Sequence, residues 1–148
     1  LLAIGFLNMN HKLKSYILLT RLNRPIGSLL LMFPFLWGLI AACNSVLDIK
    51  QNIFLFIIFI IGSFVMRSAG CVINDIFDRD IDIKVERTRF RPLANKSLPL
   101  HDAIIIFIAL SLIGLCILLS LNFLSIKIGL LSFLLLIIYR QMNGKQYI

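Results

Sequence analysis

Between Gly70 and Leu93 the chain reads GCVINDIFDRDIDIKVERTRFRPL, an acidic cluster set between long apolar runs. Five of the seven acidic residues lie here: Asp75, Asp78, Asp80, Asp82 and Glu86. An unpaired carboxylate is costly in hydrocarbon, so acids at the mouth of an apolar segment ask for a function. On a helix, Asn74, Asp78 and Asp82 step by four along one face, and Asp75 joins them three residues before Asp78. Asp80 and Glu86 align less well with that stripe. A row of oxygen ligands suits a hard divalent cation such as Mg2+, which keeps waters and takes one or two carboxylates together with substrate phosphates. The plain alternative is a solvated helix end on which the acids pair with Arg79, Lys84 and Arg87. Asp75 with Arg79 and Asp80 with Lys84 have the spacing for it, although such pairing gives Asn74 no role.

The basic residues nearby carry similar alternatives. Arg67 precedes Asn74 by seven residues and shares roughly its face. It either snorkels to headgroups or turns inward to balance phosphate charge. Among Arg87, Arg89 and Arg91, one or two can clamp phosphate with forked guanidinium groups, the rest being retention charges at the membrane surface. His11 and His101 have no ligand-spaced companions, and no phosphate-binding glycine loop or nucleophile triad is present.

The segments that must hold these residues are apolar. The chain has 148 residues, is 59% hydrophobic and has a mean hydropathy of +0.95, which excludes an ordinary soluble domain. Four spans are expected, at residues 26–43, 53–73, 103–121 and 123–139, each near the ~20 residues that cross a bilayer. Pro25 stands at a tolerated helix start, and Pro34 lies within the first span. The second span is expected to run on as one helix through the acidic motif, Gly70 being the only breaker before Pro92. Gly62, Ser63, Ser68, Ala69 and Gly70 would let neighbouring helices approach it closely. The third and fourth spans are almost contiguous and should form a tight antiparallel hairpin.

Charge sets the topology. Lys12, Lys14, Arg21 and Arg24 precede the first span, and Arg79, Lys84, Arg87, Arg89, Arg91 and Lys96 follow the second; the opposite side has only Lys50 and Lys127. That asymmetry puts the N-terminus, the acidic loop and the C-terminus in the cytoplasm, and the net charge of +8 reads as topology, not as nucleic-acid binding. Cys43, Cys71 and Cys116 lack metal-type spacing and read as small reduced residues. The opening LLAIGFL has no basic region before it and is not expected to be a cleaved signal; Met9 is a plausible start.

The ordered run Asn74-Asp75-x-x-Asp78-Arg79-x-x-Asp82, followed by Glu86-Arg87-Thr88 and Arg91-Pro92-Leu93, resembles the first aspartate-rich motif of the UbiA-type membrane prenyltransferases. Upstream, Arg21-Leu22-Asn23-Arg24-Pro25-Ile26-Gly27 leading into Met32-Phe33-Pro34-Phe35-Leu36-Trp37 is similar to the first helix of members that prenylate 4-hydroxybenzoate. The resemblance covers residues 12 to 139. It implies an all-α membrane protein whose four helices correspond to the N-terminal part of a nine-helix bundle, in a bacterial inner membrane. It also implies Mg2+ held by Asn74, Asp78 and Asp82, with Asp78 and Asp82 essential to catalysis. Asp75, Arg79, Arg67, Arg87 and Arg91 are then the substrate-binding set. The implied partners are a polyprenyl diphosphate, an aromatic acceptor such as 4-hydroxybenzoate and the lipid bilayer, with no nucleic acid. The Asp80-Ile81-Asp82 stretch is similar as well to haem O synthase, which makes farnesyl transfer the alternative within the family. Outside it stand an inactive membrane remnant and a cation-transport subunit; the latter would need acids at mid-membrane. Family members carry a second aspartate-rich motif on a later helix. The polar tail from Arg140 therefore reads as a reading frame broken near residue 139, leaving a single incomplete membrane domain.

Overall fold

A computed structural model describes residues 11–43, 50 and 52–143, with side chains given through residue 135 and at Ile138. The proposed start at Met9 and the tail from Gly144 lie outside the described residues, as does most of the connection at 44–51. All regular elements among the described residues are helices: α1 His11–Leu19, α2 Ile26–Ala42, α3 Ile53–Phe77, α4 Arg79–Asp82, α5 Leu100–Leu119 and α6 Phe123–Asn143. The chain divides into two units, the first ending at Ile113 and the second beginning at Gly114.

The apolar runs become helices close to the expected boundaries. Two of them, α3 with 25 residues and α5 with 20, are long and apolar enough to cross a membrane. α2 has 17 residues, and α6 is apolar over Phe123–Leu135, the stretch whose side chains are described. Both long helices keep large apolar side chains exposed, among them Phe54, Ile57 and Ile61 on α3 and Ile105, Ile108 and Leu112 on α5. Such an apolar exterior suits lipid far better than water.

In the first unit α2 packs along α3. Small residues make this possible: Ser28 on α2 and Ser63, Ser68 and Ala69 on α3 are all buried, with Ser63 donating to the Phe59 carbonyl at 2.7 Å. Phe35 and Phe59 stack across the same interface with centroids 5.4 Å apart. α2 starts after Pro25, whose φ of −70° is already helical, and continues through Pro34. In the second unit, Asn122 caps α6 by accepting the Ser125 N–H at 2.8 Å, and only residues 120–122 separate α5 from α6. A Cβ on Gly129 would stand 2.7 Å from Leu118 Cδ1, so this glycine admits the close approach that a tight helical hairpin needs.

The acidic motif departs from the sequence expectation. α3 ends at Phe77, Asp78 is its C-cap with ψ near 1°, and a single turn, α4, follows. The continuous helix expected through the motif is therefore corrected. One helix from Asp75 to Arg91 would set them about 24 Å apart along the axis. Instead, the chain folds back and Arg91 reaches both Asp75 and Asp82. Neutralising two buried carboxylates outweighs a few turns of helix propensity. The four-residue step nonetheless survives the bend: Asp78 N–H bonds the Asn74 carbonyl at 2.9 Å and Asp82 N–H the Asp78 carbonyl at 2.8 Å.

Residues 83–99 form an ordered connection. Leu93 and Leu98 turn inward to join Leu19 of α1, Val72 of α3 and Ala103 of α5 in one buried cluster. Ser97 N–H bonds Asn95 Oδ1 at 2.9 Å, closing a local turn. The cluster locks α1, the C-terminal end of α3, the connection and the start of α5 into one support for the acidic residues.

Candidate active site

Asp75 is the buried centre of the site, with 3% of its surface exposed. Arg21 Nη2 donates to both of its oxygens, at 3.1 and 3.2 Å. Arg91 Nη1 donates to Asp75 Oδ1 at 3.1 Å and to Asp82 Oδ2 at 2.7 Å. Two carboxylates and two guanidinium groups thus form one network, and charge-assisted bonds of this kind are the strong ones. The Asp82 carbonyl also accepts the Thr88 hydroxyl at 3.2 Å, which ties the short turn α4 to the returning connection.

In the sequence Arg21 stands as a topology charge and as the first residue of the upstream family-like run, with no sign of its place here. The residue stands just past α1 with φ of +58°. Arg21 N–H bonds the Leu18 carbonyl and Leu22 N–H the Ile17 carbonyl, the paired closure that ends many helices and normally has glycine at this position. An arginine there costs about 1 kcal/mol of backbone strain. The strain places its side chain on Asp75, and no sequence pattern signals such a left-handed arginine.

Arg21 and Arg91 line a cavity of about 330 Å3 together with Arg24, Arg87 and Phe90. Four arginines around one cavity give it the charge that suits a multiply charged anion. Asp75 does not line it. Arg87 and Arg91, two of the expected substrate-binding residues, therefore meet at one cavity, joined by the unforeseen Arg21 and Arg24.

Arg67 lies elsewhere: a Cβ on Gly27 would stand 2.6 Å from its Nε, so the guanidinium lies against the first turn of α2. Arg79 pairs with Asp80 at 3.2 Å on the exposed surface. The pairings expected from spacing, Asp75 with Arg79 and Asp80 with Lys84, are replaced by Asp75 with Arg21 and Arg91 and by Asp80 with Arg79. Glu86 and Arg89 approach to 3.8 Å, also exposed. These surface pairs contribute little.

The expected cation ligands lie at the end of α3 and along α4. Asn74 is exposed, Asp78 half-buried and Asp82 buried, and both aspartates and the asparagine offer oxygen donors. Among the described residues no three His, Cys, Asp or Glu side chains are grouped to hold a metal by themselves. Asp82 spends Oδ2 on Arg91. Oxygen donors of this type are those a hard cation takes alongside phosphate oxygens and water.

A second polar cluster fastens α1. The Tyr16 hydroxyl donates to Asp102 Oδ2 at 3.1 Å, and His101 Nε2 lies 2.8 Å from Asp102 Oδ1. The hydrogen bond to Asp102, then desolvation, then the carboxylate's charge hold the Tyr16 phenol above its ordinary pKa of 10.0.

The sequence profile of the UbiA prenyltransferase family matches residues 31–147. The chain belongs to that family. It is an integral membrane protein. It is 44% identical over 133 residues to the 4-hydroxybenzoate octaprenyltransferases of Shewanella piezotolerans and Shewanella oneidensis, and 45% identical to that of Shewanella sp. strain MR-4. Each alignment covers 90% of this chain and 45% of the relative, so the chain spans about half the length of the curated relatives it matches. No solved structure matches.

Proposed function

We propose that this chain forms the first aspartate-rich half of a membrane site that transfers a polyprenyl group from polyprenyl diphosphate to 4-hydroxybenzoate, in ubiquinone synthesis. The observation that carries the reading is the buried Asp75–Arg21–Arg91–Asp82 network beside a cavity lined by four arginines. Anionic diphosphate is the part of the donor this cavity suits, and the relatives' names supply the acceptor.

Asn74, Asp78 and Asp82 would hold Mg2+, which when bound neutralises charge building on the diphosphate. Arg21 and Arg91 face the same leaving group, and their fixed positions act without reorganisation at the moment of reaction. The bond between the prenyl C1 and its diphosphate oxygen breaks, the electron pair leaving with the diphosphate. C1 then bonds to the ring carbon beside the phenol hydroxyl, and that carbon loses its proton. Apolar helix walls keep water from the allylic cation. Four spans, with the N-terminus and the acidic motif on the cytoplasmic face of a bacterial inner membrane, complete the reading.

The test is a chimera of residues 1–139 with the C-terminal half of the Shewanella oneidensis enzyme, supplied with geranyl diphosphate, 4-hydroxybenzoate and Mg2+. Prenylated 4-hydroxybenzoate is the expected product. An inserted, folded chimera that makes none, beside an active parent enzyme, would overturn the proposal.

A further inference from the structure

We infer that Asp75 is a positioning residue that aligns Arg21 and Arg91 as a paired fork for diphosphate, touching neither the metal nor the substrate itself. The inference rests on the proposed function and gives one of its residues a different role. Asp75 is buried and does not line the cavity, whereas both of its partners do. Its oxygens are already occupied: Oδ1 accepts from Arg21 and Arg91, and Oδ2 from Arg21.

Each guanidinium is held by one nitrogen alone, Nη2 of Arg21 and Nη1 of Arg91. A guanidinium carries five donors in a rigid plane, so gripping it through one terminal nitrogen fixes the direction of the rest. One carboxylate thereby orients two forks at once, and both remain partly exposed, Arg21 at 30% and Arg91 at 25%. A carboxylate in direct contact with diphosphate would repel it; behind two arginines it sets their direction and is screened by them. The left-handed backbone of Arg21, just past the end of α1, delivers its side chain to Asp75.

The experiment uses the full chain in lipid nanodiscs, with inorganic pyrophosphate and Mg2+ as the probe, followed by calorimetric titration. Mn2+ titrated alone reports the metal ligands separately. Asp75→Asn is expected to weaken pyrophosphate binding about tenfold, since a misaligned fork loses contacts in the way a misplaced catalytic group does. Its Mn2+ affinity should stay near that of the wild type, with the variant still folded at the assay temperature. Arg21→Gly, which suits the left-handed backbone, should weaken pyrophosphate binding similarly. The double variant should be no weaker than the weaker single one, as expected of residues acting in series. If Asp75→Asn fails to fold, Asp75→Glu takes its place under the same expectations. Unchanged pyrophosphate affinity in Asp75→Asn, a matching loss of Mn2+ affinity, or additive losses in the double variant would each overturn the positioning role alone. A wild-type chain that binds no pyrophosphate would overturn the proposed function and this inference together.

Discussion

Replacing Gly27 by alanine separates the two readings of Arg67. A Cβ at residue 27 would stand 2.6 Å from Arg67 Nε, 2.9 Å from Nη2 and 3.0 Å from Cζ, where ordinary contact begins at 3.4 Å. The guanidinium must therefore retreat by 3.4 − 2.6, about 0.8 Å. Every atom involved is at the far end of a flexible, exposed side chain, so the retreat costs well under ~1 kcal/mol. Alanine also gains up to ~1 kcal/mol over glycine in a helix, and less in the first turn, where residue 27 lies. Stability should stay within about 1 kcal/mol of the wild type. Function should not, if Arg67 binds substrate: a misplacement near 1 Å can cost up to about a hundredfold in rate. The assay is thermal melting beside turnover in the chimera. Gly38→Ala on the same helix is the control, since nothing lies within 4 Å of its added methyl. Unchanged turnover in Gly27→Ala would leave Arg67 as a snorkelling charge and remove it from the substrate-binding set. A stability loss of several kcal/mol would refute the claim that only the side-chain end is displaced.

Other consequences follow from the same geometry. Arg91→Leu should destabilise the fold by roughly 3 kcal/mol, because two buried carboxylates lose their shared counter-charge; Arg79→Leu, on an exposed pair, should change it by less than about 0.5 kcal/mol, and denaturant titration compares the two. Asp78→Ala should abolish donor binding, and Asp82→Ala should lose both donor binding and stability, since Asp82 is bound to Arg91; binding and melting measurements check the two variants. Leu98→Ala, at 2% exposure in the cluster beneath the site, should cost about 2–4 kcal/mol. The raised pKa of Tyr16 means that the folded state favours the protonated phenol, so its contribution is intact below about pH 10 and lost as pH climbs through the raised value. Protease release of α1 should thus show an alkaline phase that Tyr16→Phe lacks.

The helices were legible because apolar length announces them, and the step from Asn74 through Asp78 to Asp82 was legible because i→i+4 spacing survives the bend. What spacing could not show was the fold-back of residues 83–99. That rearrangement is a tertiary choice: burying Leu93 and Leu98 and delivering Arg91 to Asp75 wins over continuing α3. Pairings read from helical spacing, such as Asp75 with Arg79, failed for that reason. Arg21 escaped notice since its role depends on a left-handed backbone at the end of α1, 54 residues from its partner. Gly27, by contrast, stood inside the quoted motif, but its purpose, room for Arg67, becomes visible only when α2 lies on α3.

The most direct measurement of the central claim is calorimetric binding of geranyl diphosphate to the chain in nanodiscs, with and without Mg2+, for the wild type and Asp78→Ala. The account predicts saturable binding that requires the metal and disappears in the variant. Saturable binding that ignores both Mg2+ and Asp78, or none in the folded wild-type chain, would contradict it.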